Sequence, residues 1–192
     1  MSFNRLLLSI ILICPAIVLG QSPNKKGTMH FGYAMNLLVE DGNQFQAYLN
    51  NEKVYWNLSP FNFSFEYRLN EKFGIQSMFS SNLYQANQRY RGVTLKKPID
   101  IISLDLLGKA NLLPFLKDTG NFDPYAVGGF GLLKRGVNTD IATQIGFGFN
   151  YWVLPSFGFN FNSIYKLNFI TAQKKERDNQ LNLNLGFVYI IN

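Results

Sequence analysis

His30 is the only histidine in the chain, so any acid–base chemistry that needs an imidazole depends on it. A serine becomes a nucleophile when a base lies beside it, and one lipid-modifying arrangement places histidine and serine two residues apart on one strand face. Position 32 is glycine, so that pair is missing. We therefore predict no catalytic residue and interpret His30 as a structural histidine at the rim of the first strand.

Metal and cofactor sites are also not expected. The only cysteine, Cys14, lies in the apolar N-terminal run, and the acidic residues show no metal-loop spacing. The glycines Gly128, Gly129 and Gly131 could suggest a phosphate-binding loop, but no Lys-Ser/Thr pair follows them. We predict no metal, no cofactor and no enzymatic activity; a lipid-modifying enzyme is a less favoured alternative, and a wide diffusion porin is the least favoured.

Four charged residues stand among apolar strand residues: Glu66, Arg68, Asp105 and Lys109. The alternation predicts that their side chains point into the lumen of a barrel. They could form a gated ion path, or they could pair with one another and fill the interior. Because a barrel of eight strands leaves room only for side chains, we favour ion pairs that fill it.

A second polar group falls between strands, where extracellular loops are expected: Arg89, Tyr90, Arg91, Lys96, Lys97, Lys174, Lys175 and Arg177. These residues could recognise lipopolysaccharide phosphates or an acidic protein partner. They could also simply solvate the loops, since Glu176 and Asp178 offset the charge of the second group. The formal net charge of +6 is too diffuse to indicate nucleic-acid binding.

The elements that position these residues have a period of two, the repeat of a β-strand. Phe61, Phe63, Phe65 and Tyr67, for example, alternate with polar residues. Eight segments of this kind are expected, at residues 30–39, 61–69, 73–84, 101–110, 125–133, 143–153, 157–166 and 181–191. The facing of the segment from Tyr125 to Leu133 is left open.

Composition separates a membrane barrel from a soluble β-sandwich. The chain has 18 Phe and 10 Tyr but only 16% charged residues, and its mean hydropathy is −0.03. The polar faces are rich in Asn, Gln, Ser and Gly, which suit a narrow interior, and the apolar faces are aromatic, as lipid-facing surfaces are. Outside loops are expected at residues 40–56, 85–98, 134–140 and 168–180. We predict an all-β, closed antiparallel up-and-down transmembrane barrel of about eight strands.

The N-terminal residues resemble an export signal. Arg5 precedes an apolar run over residues 6–19, and Gly20 offers a small residue for cleavage. An uncleaved anchor helix is the alternative, but the run is short for a spanning helix and contains Pro15. We expect a signal peptide at residues 1–20, a barrel domain at residues 21–192 and an integral outer-membrane location.

The segments IISLDLLGKA, DPYAVGGFGLL, QIGFGFNYWV and LNLGFVYIIN resemble the small outer-membrane β-barrels of Bacteroidetes, labelled PorT-like or grouped with OmpA- and OmpX-type barrels. The resemblance implies that Gly186, Tyr189 and Ile191 belong to a closing-strand signal read by the barrel-assembly machinery. It also implies a possible protein partner in secretion. The expected function is envelope integrity, adhesion or recognition through the loops; the alternative is an accessory role in secretion or envelope assembly.

Overall fold

The polar and apolar residues that alternate along the sequence form the two faces of one closed β-sheet. The computed structural model describes residues 26–40, 57–87, 89–90, 93–113, 121–168 and 180–191. The expected signal peptide lies outside these residues. The strands are β1 (Met29–Glu40), β2 (Asn57–Arg68), β3 (Phe73–Tyr84), β4 (Arg89–Tyr90), β5 (Val93–Thr94), β6 (Ile99–Asn111), β7 (Phe122–Arg135), β8 (Asn138–Leu154), β9 (Phe157–Asn168) and β10 (Gln180–Ile191).

Eight of these strands form the barrel, in the order β1-β10-β9-β8-β7-β6-β3-β2, and β4 and β5 form a separate hairpin. Each barrel strand pairs antiparallel with its neighbours in sequence, and β10 pairs back with β1 from Met29↔Ile191 to Glu40↔Gln180. This seam leaves no unpaired edge strand in the barrel. The closed antiparallel barrel of eight strands is therefore confirmed. The described segments include no helix long and apolar enough to span a bilayer.

The outer face of the barrel is apolar. Side chains alternate between buried and exposed along β3, and the same alternation runs through the other strands. Phe130, Ile145 and Phe147 are each more than 60% exposed on the outside. In water such a surface would drive aggregation, whereas hydrocarbon solvates it. The eight barrel strands, 12 to 17 residues long, exceed the roughly 9–11 residues that cross a bilayer.

Several apolar side chains point inward and explain where the alternation of the sequence is blurred. Tyr125, Val127 and Leu133 are buried while Phe130 and Leu132 are exposed, which resolves the facing of β7. A further three, Trp152, Val188 and Ile190, pack together inside the barrel. The lumen is thus partly apolar, and the pattern breaks at the strand positions that supply its apolar contacts.

The connections define two ends of the barrel. At the terminal end, where β1 begins and β10 ends, β2–β3 and β8–β9 are joined by short turns. At the opposite, hairpin end, residues 85–98 carry the β4–β5 hairpin. The loop expected at residues 134–140 is shorter than predicted: Arg135 pairs with Asn138, and a two-residue turn joins β7 to β8. Gly136 in this turn has φ +56°, a conformation that favours glycine.

Candidate functional site: the barrel interior and its hairpin end

Near the terminal end, four buried charges form one group, which we call the terminal-end ion cluster: Glu66, Arg68, Lys109 and Asp123. Glu66 Oε1 lies 2.6 Å from Arg68 Nε, and Glu66 Oε2 accepts a hydrogen bond of 2.7 Å from Lys109 Nζ. Arg68 extends to Asp123, with 3.8 Å between the nearest charged atoms. All four side chains are 0–3% exposed. The cluster joins β2, β6 and β7 across the lumen.

A chain of side-chain amides, which we call the asparagine ladder, leads from β2 around the interior to this cluster. Its members are Asn62, Asn184, Asn162, Asn160 and Asn150, and each donates to the next over 2.6–3.0 Å. Asn150 Nδ2 then donates to Asp123 Oδ2, in the terminal-end ion cluster, over 3.3 Å. The ladder hydrogen-bonds strands β2, β10, β9 and β8 to one another through the lumen.

A second group of charges lies closer to the hairpin end. Lys166 Nζ is 2.6 Å from Asp105 Oδ2 and also donates to Ser103. Asp105 Oδ1 accepts from Ser103 Oγ over 2.6 Å and from Gln144 Nε2 over 2.5 Å. A Cβ at Gly131 would come within 2.1 Å of both the carboxylate and the amide. Glycine at this position therefore makes room for the bond that crosses β7.

All four residues that the sequence assigned to the lumen point inward, but they do not pair as one set. Glu66 contacts Arg68 and Lys109, whereas Asp105 pairs with Lys166. The sequence reasoning did not include Lys166 and Asp123. Among the buried charges of the described interior, three anions (Glu66, Asp105, Asp123) oppose three cations (Arg68, Lys109, Lys166), and Arg135 at the hairpin end has Asp140 3.2 Å away.

Apolar clusters interrupt the lumen at three levels, and we name them for their place. The lid cluster at the hairpin end is Leu38, Tyr84, Leu95, Ile101 and Leu133; the middle cluster is Met78, Leu107, Tyr125, Val127 and Ile164; the floor cluster is Trp152, Val188 and Ile190. The members are 0–9% exposed. Between these layers the ion pairs and the asparagine ladder connect strands across the barrel. The interior is therefore a packed core, and a continuous wide pore does not fit it.

His30 is buried rather than placed at an exposed rim, and it is only 1% exposed. Its Nε2 lies 3.2 Å from Thr28 Oγ1, and its Nδ1 lies 3.6 Å from Glu66 Oε2. Hydroxyl, imidazole and carboxylate follow one another as in acyl-transfer sites. A nucleophile must meet its substrate, however, and Thr28 is only 3% exposed while Glu66 is held by two cations. The edge-on contact of His30 with Trp152 fits a packing role.

The basic loop residues divide between described and undescribed parts of the chain. Arg89 and Tyr90 form β4, which pairs with β5. Lys96 and Lys97 are exposed beside the lid cluster. Arg91, Lys174, Lys175 and Arg177 lie outside the described residues. The structure thus brings two of the expected lysines to the mouth of the barrel.

Gly186, Tyr189 and Ile191 all lie in β10 at the closing seam. A Cβ at Gly186 would lie 2.0 Å from the Tyr33 carbonyl oxygen and 2.4 Å from Ala34 Cα. Close approach of β1 and β10 thus gives Gly186 a steric reason to be glycine. Its part in an insertion signal stays a prediction.

The outer face also carries two apolar grooves, of about 530 Å³ and about 370 Å³. The larger lies among outward rings such as Phe31, Phe63 and Phe187, and the smaller beside Leu104 and Phe130. Both open on the apolar outer face, and Asp105 is among the residues that line the smaller one. Lipid chains would fill them in a bilayer.

No family model matches the chain, and no curated protein matches it in sequence. Solved structures do match. OprG, an outer membrane protein of Pseudomonas aeruginosa, is 13% identical, covers 88% of this chain and 98% of its own, and has a TM-score of 0.58. Neisserial surface protein A is 14% identical over 84% and 95%, with a TM-score of 0.57. Ail of Yersinia pestis, in complex with the heparin analogue sucrose octasulfate, is 16% identical over 86% and 99%, with a TM-score of 0.52.

These similarities show that the chain has the fold of small outer-membrane β-barrels. At such low identity they establish the fold and leave the role to be argued from the residues of this chain.

Proposed function

We propose that the chain is a non-enzymatic, integral outer-membrane β-barrel that acts as a closed support for its extracellular loops. The observation that carries this proposal is the contrast between an apolar outer face and a lumen filled by paired charges and apolar clusters. A lumen packed in this way suits a rigid platform better than a diffusion pore. Export through cleavage after Gly20 and insertion by the barrel-assembly machinery belong to the same proposal.

In the outer membrane, the terminal end of the barrel would face the periplasm and the hairpin end would face the outside of the cell. Lys96, Lys97 and Lys134 are exposed at or near that outer end. Their ammonium groups would attract phosphate or sulfate groups, such as those of lipopolysaccharide or of a sulfated surface polymer. These exposed lysines favour a function in surface recognition and envelope integrity through such contacts.

The test uses the chain from residue 21 onward, refolded in detergent and reconstituted in planar bilayers and in vesicles with lipopolysaccharide. We expect heat-modifiable gel migration, no stepwise conductance, and binding to phosphorylated lipopolysaccharide that weakens in the variant Lys96→Gln/Lys97→Gln. Lys26→Gln, with the same change of charge per site at the opposite end, should bind as the wild type does. Stable conductance would contradict the closed platform.

Equal binding by the lysine variants would remove surface charge as the basis of recognition. A protein that co-purifies with the chain, together with a secretion defect on deletion, would favour the accessory role in secretion that the PorT-like resemblance implies.

A further inference from the structure

The smaller groove on the outer face spans four strands of the barrel wall. Its volume of about 370 Å³ lies within the roughly 300–1,000 Å³ of small-molecule sites. Its outward side chains are Ser77 on β3, Leu104 and Leu106 on β6, Phe130 and Leu132 on β7, and Ile141 on β8. Leu132 and Ile141 each lie three residues from the end of their strand at the β7–β8 turn. The groove therefore extends towards the hairpin end.

The groove is deep where an outward side chain is short. Of the described outward side chains that line it, only Ser77 is not a large apolar one. Ser77 is paired in register with Phe65 on one side and Leu106 on the other, so it leaves a gap between two large side chains. Its hydroxyl lies 3.5 Å from the Phe65 carbonyl oxygen. The gap is therefore bounded by hydrocarbon, with the hydroxyl directed at the backbone.

The described lining of the groove offers no free charge to an occupant. Asp105 and Gly131 line it from the side of the lumen, but the Asp105 side chain is fully buried and lies 2.6 Å from Lys166 Nζ. A polar group placed in the groove would lose its hydration without gaining a strong partner. The part of a ligand that enters the groove is therefore apolar.

A cation lies at the end of the groove that is nearer the hairpin. Along the outward face of β7, Phe130 and Leu132 are followed by Lys134, which is exposed. Two residues of a β-strand span roughly 7 Å, so the ammonium group is within reach of a head group whose chain lies in the groove.

The rim around Lys134 carries an excess of positive charge. Its described charged residues are Lys96, Lys97, Asp100, Lys134, Arg135 and Asp140. Arg135 and Asp140 lie 3.2 Å apart and balance each other. Three lysines then face the single carboxylate of Asp100, so this rim attracts anions.

An apolar groove that ends at a cation has the polarity of a lipid with an anionic head group. We propose that the groove binds one acyl chain of a phosphorylated lipid of the surrounding outer leaflet, with its phosphate at Lys134. A second copy of this chain fits less well, because two barrels joined here in the same membrane orientation would bring their basic rims together. The inference rests on the proposed outer-membrane location and names the lipid that this part of the barrel wall selects.

The experiment measures lipid binding to the chain from residue 21 onward, refolded in detergent, by native mass spectrometry. The probes are lipid A with both phosphates and lipid A from which both have been removed. We expect Lys134→Gln to weaken binding of the phosphorylated form about fivefold, the effect of one basic residue beside anionic lipid, and to leave the other form unchanged. Lys134→Arg, which keeps the charge, should bind as the wild type does. Equal binding of the two forms by the wild type, or unchanged binding by Lys134→Gln, would overturn the proposal.

Ser77→Leu tests the groove itself. The larger side chain fills the gap, so both forms of lipid A should bind more weakly, while the variant still gives the heat-modifiable band. Ser163→Leu is the matched control: Ser163 also faces outward, lies on β9, four strands from β3 in the barrel order, and lines neither groove. It should bind as the wild type does. No loss in Ser77→Leu, or an equal loss in both serine variants, would show that the chain does not lie in this groove.

The variants separate this inference from the proposed surface function. If Lys96→Gln/Lys97→Gln weakens binding to lipopolysaccharide while Lys134→Gln and Ser77→Leu leave lipid A binding unchanged, the surface function stands and the lipid site is wrong. The reverse pattern would support the lipid site and remove the two loop lysines as the basis of recognition.

Discussion

Removing the negative charge from the terminal-end ion cluster tests whether the buried charges determine the stability of the barrel. In the wild type, Glu66 and Asp123 balance Arg68 and Lys109. Glu66→Gln keeps the size of the side chain but leaves two buried cations against one carboxylate. A buried charge that loses its partner costs about 3–5 kcal/mol. We therefore expect the unfolding equilibrium constant to rise by about two to three and a half powers of ten.

The assay is the urea midpoint of the folded, fast-migrating gel band, converted to a free energy of unfolding in detergent or lipid. Lys109→Met in the Glu66→Gln background removes the excess positive charge and should recover most of the loss. Salt should change the effect little, because the cluster is buried. A Glu66→Gln variant as stable as the wild type, or a double variant with the summed losses, would refute the reasoning.

Three further predictions use the same gel assay. Gly186→Ala should prevent formation of the folded band, because its Cβ would meet backbone at 2.0 Å, whereas Gly128→Ala, with its nearest contact at 3.7 Å, should fold normally. Leu106→Arg on the outer face should cost about 2–4 kcal/mol in a bilayer, and Val137→Arg, at a turn position 97% exposed, should be neutral. Lys166→Met should destabilise the barrel by about 3–5 kcal/mol, because it leaves a buried carboxylate without its cation. Neutral results for Gly186→Ala, Leu106→Arg or Lys166→Met would contradict the assigned seam, outer face and ion pair, respectively.

The barrel could be predicted from the sequence because the alternation of apolar and polar residues that defines each strand is a local pattern. Alternation of the kind seen from Phe61 to Tyr67 fixes both strand and facing, and all eight expected strands overlap strands of the barrel. The rule fails where the lumen itself is apolar. Trp152, Val188 and Ile190 interrupt the alternation because they pack on one another inside. A rule that assigns every apolar residue to the outer face and every polar residue to the lumen does not predict an inward apolar side chain.

The ion pairs could be predicted only in part. Inward facing of Asp105 followed from its neighbours, but its partner Lys166 lies 61 residues away in sequence and three strands away in the barrel order. That separation depends on the tilt and stagger of the strands, which no local pattern encodes. Asp123 was missed for another reason: it is the second residue of β7 and lies before Tyr125, where the expected strand began.

The ion pairs also decide which arrangement of strands is the native one. A strand that slips by two residues against its neighbour keeps its apolar face outside, so the lipid cannot tell the slipped barrel from the correct one. Glu66 on β2 meets Lys109 on β6, and Asp105 on β6 meets Lys166 on β9, only when the intervening strands are in the observed register. A slip between neighbouring barrel strands from β2 to β9 would separate at least one of these pairs and enclose unpaired charge. The ion pairs in the lumen thus select the register of these strands, which the apolar outer face does not determine.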